Sequence, residues 1–151
     1  MKKLFLSIIV VSFLCLFTGC MAPPASFMRT HDDPGIWKSI DVREGLLKDD
    51  LWRTVVDTLS QKYDLEVITK DSGYVRTSWK YTYIIPDRNI VSDRYRSRII
   101  VKFSGEAWNV LQVKCESNWL EPKAGWVLGY DTRLLEDVYG DLQGRVGRIR
   151  R

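Results

Sequence analysis

The sequence predicts an α+β domain of two layers, an antiparallel sheet of four to five strands with two helices packed on one face. Three observations lead there. Arg94 to Ser104 and Val110 to Trp119 alternate apolar and polar residues, the pattern of antiparallel strands with one covered face and one wet face. Two other stretches, Trp52 to Tyr63 and Leu134 to Val146, repeat their apolar residues every three or four positions, as amphipathic helices do. The resulting order is strand, helix, two hairpins, helix: two helical stripes to hide and one sheet face to receive them.

The chain begins with a segment of another kind. Met1-Lys2-Lys3 is a short basic start, and Leu4 to Phe17 is almost unbroken apolar sequence. Leu16-Phe17-Thr18-Gly19-Cys20 ends it with small residues ahead of a thiol. Residues 1–19 read as a removable secretory signal peptide, too short to span a bilayer as a mature helix. Cleavage after Ala22 is disfavoured by Pro23. The stretch resembles the lipobox of bacterial lipoproteins, with Phe17 where leucine is commonest. The resemblance implies that Cys20 is lipidated, by acyl chains such as palmitate, and becomes the first mature residue. Several chains, at about 0.8 kcal/mol per buried methylene, hold a protein stably on a membrane. Met21, where an aspartate would mark inner-membrane retention, implies by the same resemblance the periplasmic side of the outer membrane.

Removal of the leader leaves 132 residues, enough for one domain with a core, and takes away two lysines, lowering the formal charge from +4 to +2. The basic balance therefore carries no argument for nucleic acid, which the compartment excludes as a partner. Cys15 departs with the leader and Cys20 is acylated. Cys115 is then the only free thiol, and no intramolecular disulfide is expected.

Residues 20–35, with Pro23-Pro24 and Asp32-Asp33-Pro34-Gly35, lack periodicity and are expected to be a flexible tether. The domain is expected over 36–151. Ile36 to Val42 predicts a short strand. Asp49 or Asp50 is expected to cap the first helix, with Trp52, Val55, Val56, Leu59 and Tyr63 on its apolar face. Leu65 to Lys70 and Tyr74 to Ile85 predict a hairpin through Asp71-Ser72-Gly73. In its second strand Val75, Thr77, Trp79, Tyr81 and Tyr83 should share one face. The second hairpin turns through Gly105. There Tyr95, Ser97, Ile99, Val101 and Phe103 oppose Arg94, Arg96, Arg98, Ile100 and Lys102. Likewise Leu111, Val113, Cys115 and Trp119 oppose Gln112, Lys114, Glu116 and Asn118. Glu121 to Gly129 is expected to be a loop. Asp131 or Thr132 should cap the last helix, frayed by Gly140, Gly144 and Gly147, each costing about 1 kcal/mol relative to alanine.

Leu51 to Leu59, Leu65-Glu66-Val67-Ile68, Asp71 to Trp79 and the basic strand Tyr95 to Val101 follow one another in a recognisable order. In order and spacing they resemble the helix-grip domains of the BamC (NlpB/DapX) lipoproteins, accessory members of the outer-membrane β-barrel assembly machinery. The resemblance covers roughly residues 40–117. It implies a helix-grip-like fold and a place in envelope biogenesis. BamC itself carries two such domains after a long N-terminal segment. Here there is one domain and a short tether, so a BamC-like fold is better supported than a BamC role.

No signature of catalysis is present. His31 is the only histidine and falls in the tether. Gly-x-Ser-x-Gly, His-Glu-x-x-His and paired cysteines at metal spacing are all missing from the sequence. Cys115, on the apolar face of its strand, reads as a core residue with no histidine to activate it. Asp32-Asp33 reads as a turn and Asp49-Asp50 as a helix start. No enzyme, metal or cofactor is expected.

The stripe of Arg94, Arg96, Arg98 and Lys102, joined by Arg76 and Lys80, has two readings. One is a solvated face kept soluble by charge. The other is a docking surface for an acidic partner or anionic headgroups, blunted where Glu116 pairs with an arginine. Trp108 at a hairpin tip and Trp126 in a loop are the candidate aromatic contacts, because tryptophan is favoured at binding hot spots. Trp52 and Trp79 are expected in the core.

The expected function is a non-enzymatic, lipid-anchored interaction module in outer-membrane β-barrel assembly or another envelope process. The alternative is a periplasmic module that binds a lipid or small apolar ligand between helix and sheet.

Overall fold

The computed structural model describes residues 22–148 apart from 34 and 87. The leader 1–19 and the lipidation residue Cys20 lie outside the described residues. Along the chain run β1 (Phe27–Arg29), β2 (Trp37–Asp41), α1 (Lys48–Ser60), β3 (Leu65–Thr69), β4 (Tyr74–Thr77), β5 (Lys80–Tyr81), β6 (Ile84–Ile85), β7 (Ile90–Val91), β8 (Tyr95–Ser104), β9 (Val110–Glu121), β10 (Gly125–Asp131) and α2 (Thr132–Val146). The architecture is the expected α+β pair of layers, with a wider sheet. Its antiparallel order is β1-β10-β9-β8-β4-β3, with β2 on the first half of β9 and β5 on the first half of β8. The β6–β7 pair stands apart as a separate two-stranded sheet.

Alternation decides which face the helices take. Ile99, Val101 and Phe103 of β8 and Leu111, Val113 and Cys115 of β9 are buried with Ile40 and Val75. Leu51, Val55 and Leu59 of α1 and Leu135, Val138, Leu142 and Val146 of α2 close over them. The space between helices and sheet is thus filled by aliphatic side chains. The β3–β4 turn is as expected, with Gly73 at φ 61° in the left-handed region that side chains resist.

The two helices begin differently. Asp131 caps α2, accepting a hydrogen bond from the Leu134 amide at 3.0 Å. Neither Asp49 nor Asp50 caps α1: Leu47 holds the N-cap position without a side-chain bond. The two aspartates lie in the first turn, where the helix dipole favours negative charge. The glycine-rich end of α2 continues to Val146 without the expected early fraying. Packing holds it on one side, since Leu142 and Val146 are core residues. On the other, Arg43 N–H donates to Val146 O and Arg148 N–H to Asp41 O.

Four expectations are corrected. The segment expected to be a tether up to residue 35 is docked from Phe27 onward, because β1 pairs with β10. The expected loop 121–129 contains most of β10, which pairs with the end of β9. The second strand expected over Tyr74 to Ile85 is three short pieces. Its register with β8 shifts by one residue between Arg76↔Ile100 and Lys80↔Ser97, a bulge at Ser78 and Trp79. Thr77 causes a break in the ladder there, since its buried Oγ1 accepts the Ile99 N–H at 2.9 Å in place of a backbone carbonyl. A one-residue shift reverses the faces that follow. Trp79 therefore lies on the outer face with Arg96 and Arg98 rather than in the core. Finally, the outer side of β9 is not wet: Lys114, Glu116 and Asn118 are buried.

Candidate functional site

The outer face of the sheet, turned away from both helices, gathers most of the candidate residues. Strict alternation in β8 puts Arg96, Arg98 and Lys102 on it. The bulge adds Trp79, and β10, missed in the sequence, adds Trp126 and Leu128. Arg96 is held between two indoles, its guanidinium 4.6 Å from the Trp79 ring centre and 4.3 Å from that of Trp126. Such stacking contributes about 0.5–1 kcal/mol per exposed pair and more when desolvated. The Nε of Arg96 is buried with no hydrogen-bond partner among the described residues.

Arg98 also lies against Trp79, its guanidinium 4.4 Å from the ring centre, and meets Glu116 at 2.7 Å. Glu116 also faces Lys114 at 3.5 Å. Lys114, itself buried, donates to Asp33 Oδ1 at 2.5 Å. That bond, with the positive charge behind it, holds the Asp33 carboxyl below the usual carboxylate range. The segment after β1 thus crosses the sheet and is fastened to it by an ion pair. Lys102 and Lys114 both lie against Trp37, at 4.4 and 5.5 Å from its ring. Glu116, Asp33 and Glu66, which pairs with Arg76 at 3.2 Å, neutralise part of the stripe. Arg94, Arg96 and Lys102 have no carboxylate partner among the described residues.

The apolar part of the surface lies beside Arg96. Trp126 and Leu128 on β10 and Met28 on β1 share this outer side and remain 38%, 40% and 49% exposed. The site is therefore a cationic and aromatic ridge passing into an apolar edge. Two expected members belong elsewhere. Trp108 folds back onto Phe103, stacked at 4.6 Å with ring planes 10° apart, and closes the end of the core with Trp52. Lys80 points to the helix side, donating to Lys62 O. Arg94 stands at the near end of the stripe against Trp119 at 5.8 Å.

A second feature lies on the helix side. A groove of about 680 Å³ is lined by Pro24, Ser26, Tyr83, Tyr95, Asp131 and Leu134, among others. Beneath it the Tyr95 hydroxyl donates to Asp131 Oδ2 at 2.8 Å, and Ser97 and Ser117 share a bond of 2.8 Å. Burial pushes the Tyr95 hydroxyl well above the usual phenol range, so it remains a donor. Cys115 lies 3.6 Å from Ser117 and is also pushed up, to about 11, by burial. A thiol so raised is a poor nucleophile at neutral pH. Among the described residues no cluster of three or more metal-ligating side chains occurs, and no helix is long and apolar enough to cross a membrane.

The sequence matches no protein-family model, and no curated protein is significantly similar to it.

Proposed function

We propose that this protein is a non-enzymatic lipoprotein, held by acylated Cys20 on the periplasmic side of the outer membrane. Its α+β domain serves β-barrel assembly or a related envelope process as a protein-interaction module. The observation that carries the reading is Arg96, stacked between Trp79 and Trp126 beside the half-exposed Leu128 and Met28. Arginine and tryptophan dominate binding hot spots, and a pre-stacked arginine loses little entropy on docking. Arg94, Arg96 and Lys102, without a carboxylate partner among the described residues, select an acidic partner. Anchoring confines the domain to the membrane plane and raises its effective concentration near partners there.

The tests separate anchor from surface. Cys20→Ser should move the protein into the soluble periplasmic fraction; continued membrane association argues against acylation. Capture of the lipidated wild type should recover a β-barrel assembly component. Arg96→Glu should lower that recovery at least fivefold while Tm falls by only a few degrees, and unchanged recovery returns the stripe to a solubility role. Arg98 is the wrong residue for this test, because its bond to buried Glu116 makes reversal a folding defect.

The groove of about 680 Å³ favours a second reading, binding of a small apolar ligand against Tyr83, Tyr95 and Leu134. Native mass spectrometry that finds a stoichiometric lipid in the purified domain would favour it over the protein interface.

A further inference from the structure

Strand register puts Asn118 of β9 directly opposite Arg96 on the outer face, with Leu128 of β10 on the far side of Asn118. Asn118 is only 4% exposed, and its amide makes no hydrogen bond among the described residues. The Nε of Arg96 is buried and has no partner among them either. Two polar side chains on adjacent strands thus stand side by side without acceptors or donors, a condition in which buried polar groups are rarely left. The acids of this face are engaged elsewhere, Glu116 with Arg98 and Lys114, and Asp33 with Lys114.

The walls of this corner select a shape. The Trp79 and Trp126 rings lie 4.6 and 4.3 Å from the Arg96 guanidinium. With its faces covered and its Nε buried, the cation can be reached only along the edge that bears its terminal nitrogens. An acceptor there must lie in the guanidinium plane, between the two rings. A carboxylate is planar and offers such an edge two oxygens in a bidentate fit. A tetrahedral phosphate would turn oxygens toward the indole faces, whose negative quadrupole repels them. The Asn118 amide supplies a further donor beside the same position. Leu128, 40% exposed, stands two strand spacings from Arg96, about 10 Å. A glutamate and a leucine two residues apart on an extended segment bridge that gap.

We infer that Arg96, Asn118, Trp79 and Trp126 form a carboxylate slot, which the protein partner enters with an acidic side chain while a neighbouring apolar residue settles on Leu128. The inference rests on the interaction-module reading and narrows it, since the partner is then chosen by the planar shape of its acid as well as by charge. Arg96 and Asn118 hold the carboxylate, and the two indoles position Arg96.

The purified full-length protein in nonionic detergent, titrated with short peptides blocked at both ends, provides the test. The parent peptide is glycine and serine with one glutamate and, two residues on, one leucine. Glutamine in place of its glutamate should weaken binding about tenfold or more, the usual contribution of a charge-assisted bidentate bond. Phosphoserine at that place, despite its greater charge, should bind about fivefold or more below the parent. Arg96→Lys keeps the charge but loses the fork and should cost about tenfold or more. Asn118→Ala should cost about threefold or more while Tm changes by only a few degrees. A phosphoserine peptide bound as tightly as the parent, or wild-type binding by Arg96→Lys or Asn118→Ala, overturns the slot. So does a parent peptide that shows no saturable binding at about 1 mM. Arg96→Glu separates the two failures. Where the slot fails yet Arg96→Glu still lowers capture of the membrane partner, the acidic docking face stands; where it changes neither peptide binding nor capture, that reading falls as well.

Discussion

Asp131 ends a strand and starts a helix, and one carboxylate serves both. One oxygen accepts the Leu134 amide, the other the Tyr95 hydroxyl. Losing an N-cap costs about 1 kcal/mol, and a buried hydroxyl left unpaired costs about 1–3 kcal/mol more. Asp131→Ala is therefore expected to destabilise the domain by about 2–4 kcal/mol, read from denaturant midpoints. Asp131→Asn keeps one acceptor, its Oδ1 for the Leu134 amide, while its Nδ2 can only donate to the Tyr95 oxygen, so it should restore the cap and recover about half of the loss. Tyr95→Phe in the Asp131→Ala background should cost little beyond the single change; full additivity would show that the two groups act independently. The helix cap was legible in the sequence because aspartate before an apolar-periodic run is a local signal. Its bond to Tyr95 spans 36 residues and was not.

At the scale of elements, β1 depends on a glycine. A Cβ at Gly129 would overlap the Met28 carbonyl and the Phe27 ring. Gly129→Ala should therefore undock β1, expose residues 22–30 to limited proteolysis, and cost about 1–3 kcal/mol by overpacking. Unaltered cleavage and Tm would mean that β1 adds little to the sheet. The central hairpin, both helices and their shared face were legible, since each carries its own period over ten or more residues. β1 and β10 were not. Phe27–Arg29 is too short to show a period, and β10 is broken by Gly125 and Gly129, which read as loop. The bulge after Thr77 also left no periodic trace: a hydroxyl takes one backbone donor, the register shifts by one, and Trp79 changes face. Of the candidate surface, β8 supplied Arg96 and Arg98 from alternation alone. Their aromatic partners come from a bulge and an unseen strand, which only pairing in space reveals.

Across the whole molecule, three acidic hydrogens are held by burial among the described residues, and they set the alkaline limit of the fold. Burial pushes the Cys115 thiol from 9.0 to about 11 and the Tyr63 hydroxyl from 10.0 to about 12, and raises Tyr95 further. Each group is neutral when protonated, so the folded state keeps a proton that the unfolded chain releases first. Stability from these groups is complete below pH 9 and falls as pH rises through the folded values. Between pH 9 and 11 Cys115 alone removes up to about 1.4 kcal/mol per pH unit. Tm is expected to be flat from about pH 7 to 8.5 and to drop steeply above about 9, with Cys115 unreactive toward thiol reagents until unfolding begins. Cys115→Ala should lower Tm at neutral pH, because it leaves a small cavity, yet make the decline between about pH 9 and 10 shallower. A slope unchanged by that substitution would place the alkaline transition on the tyrosines, and rapid thiol labelling at about pH 8 would show that this part of the core opens in the folded state.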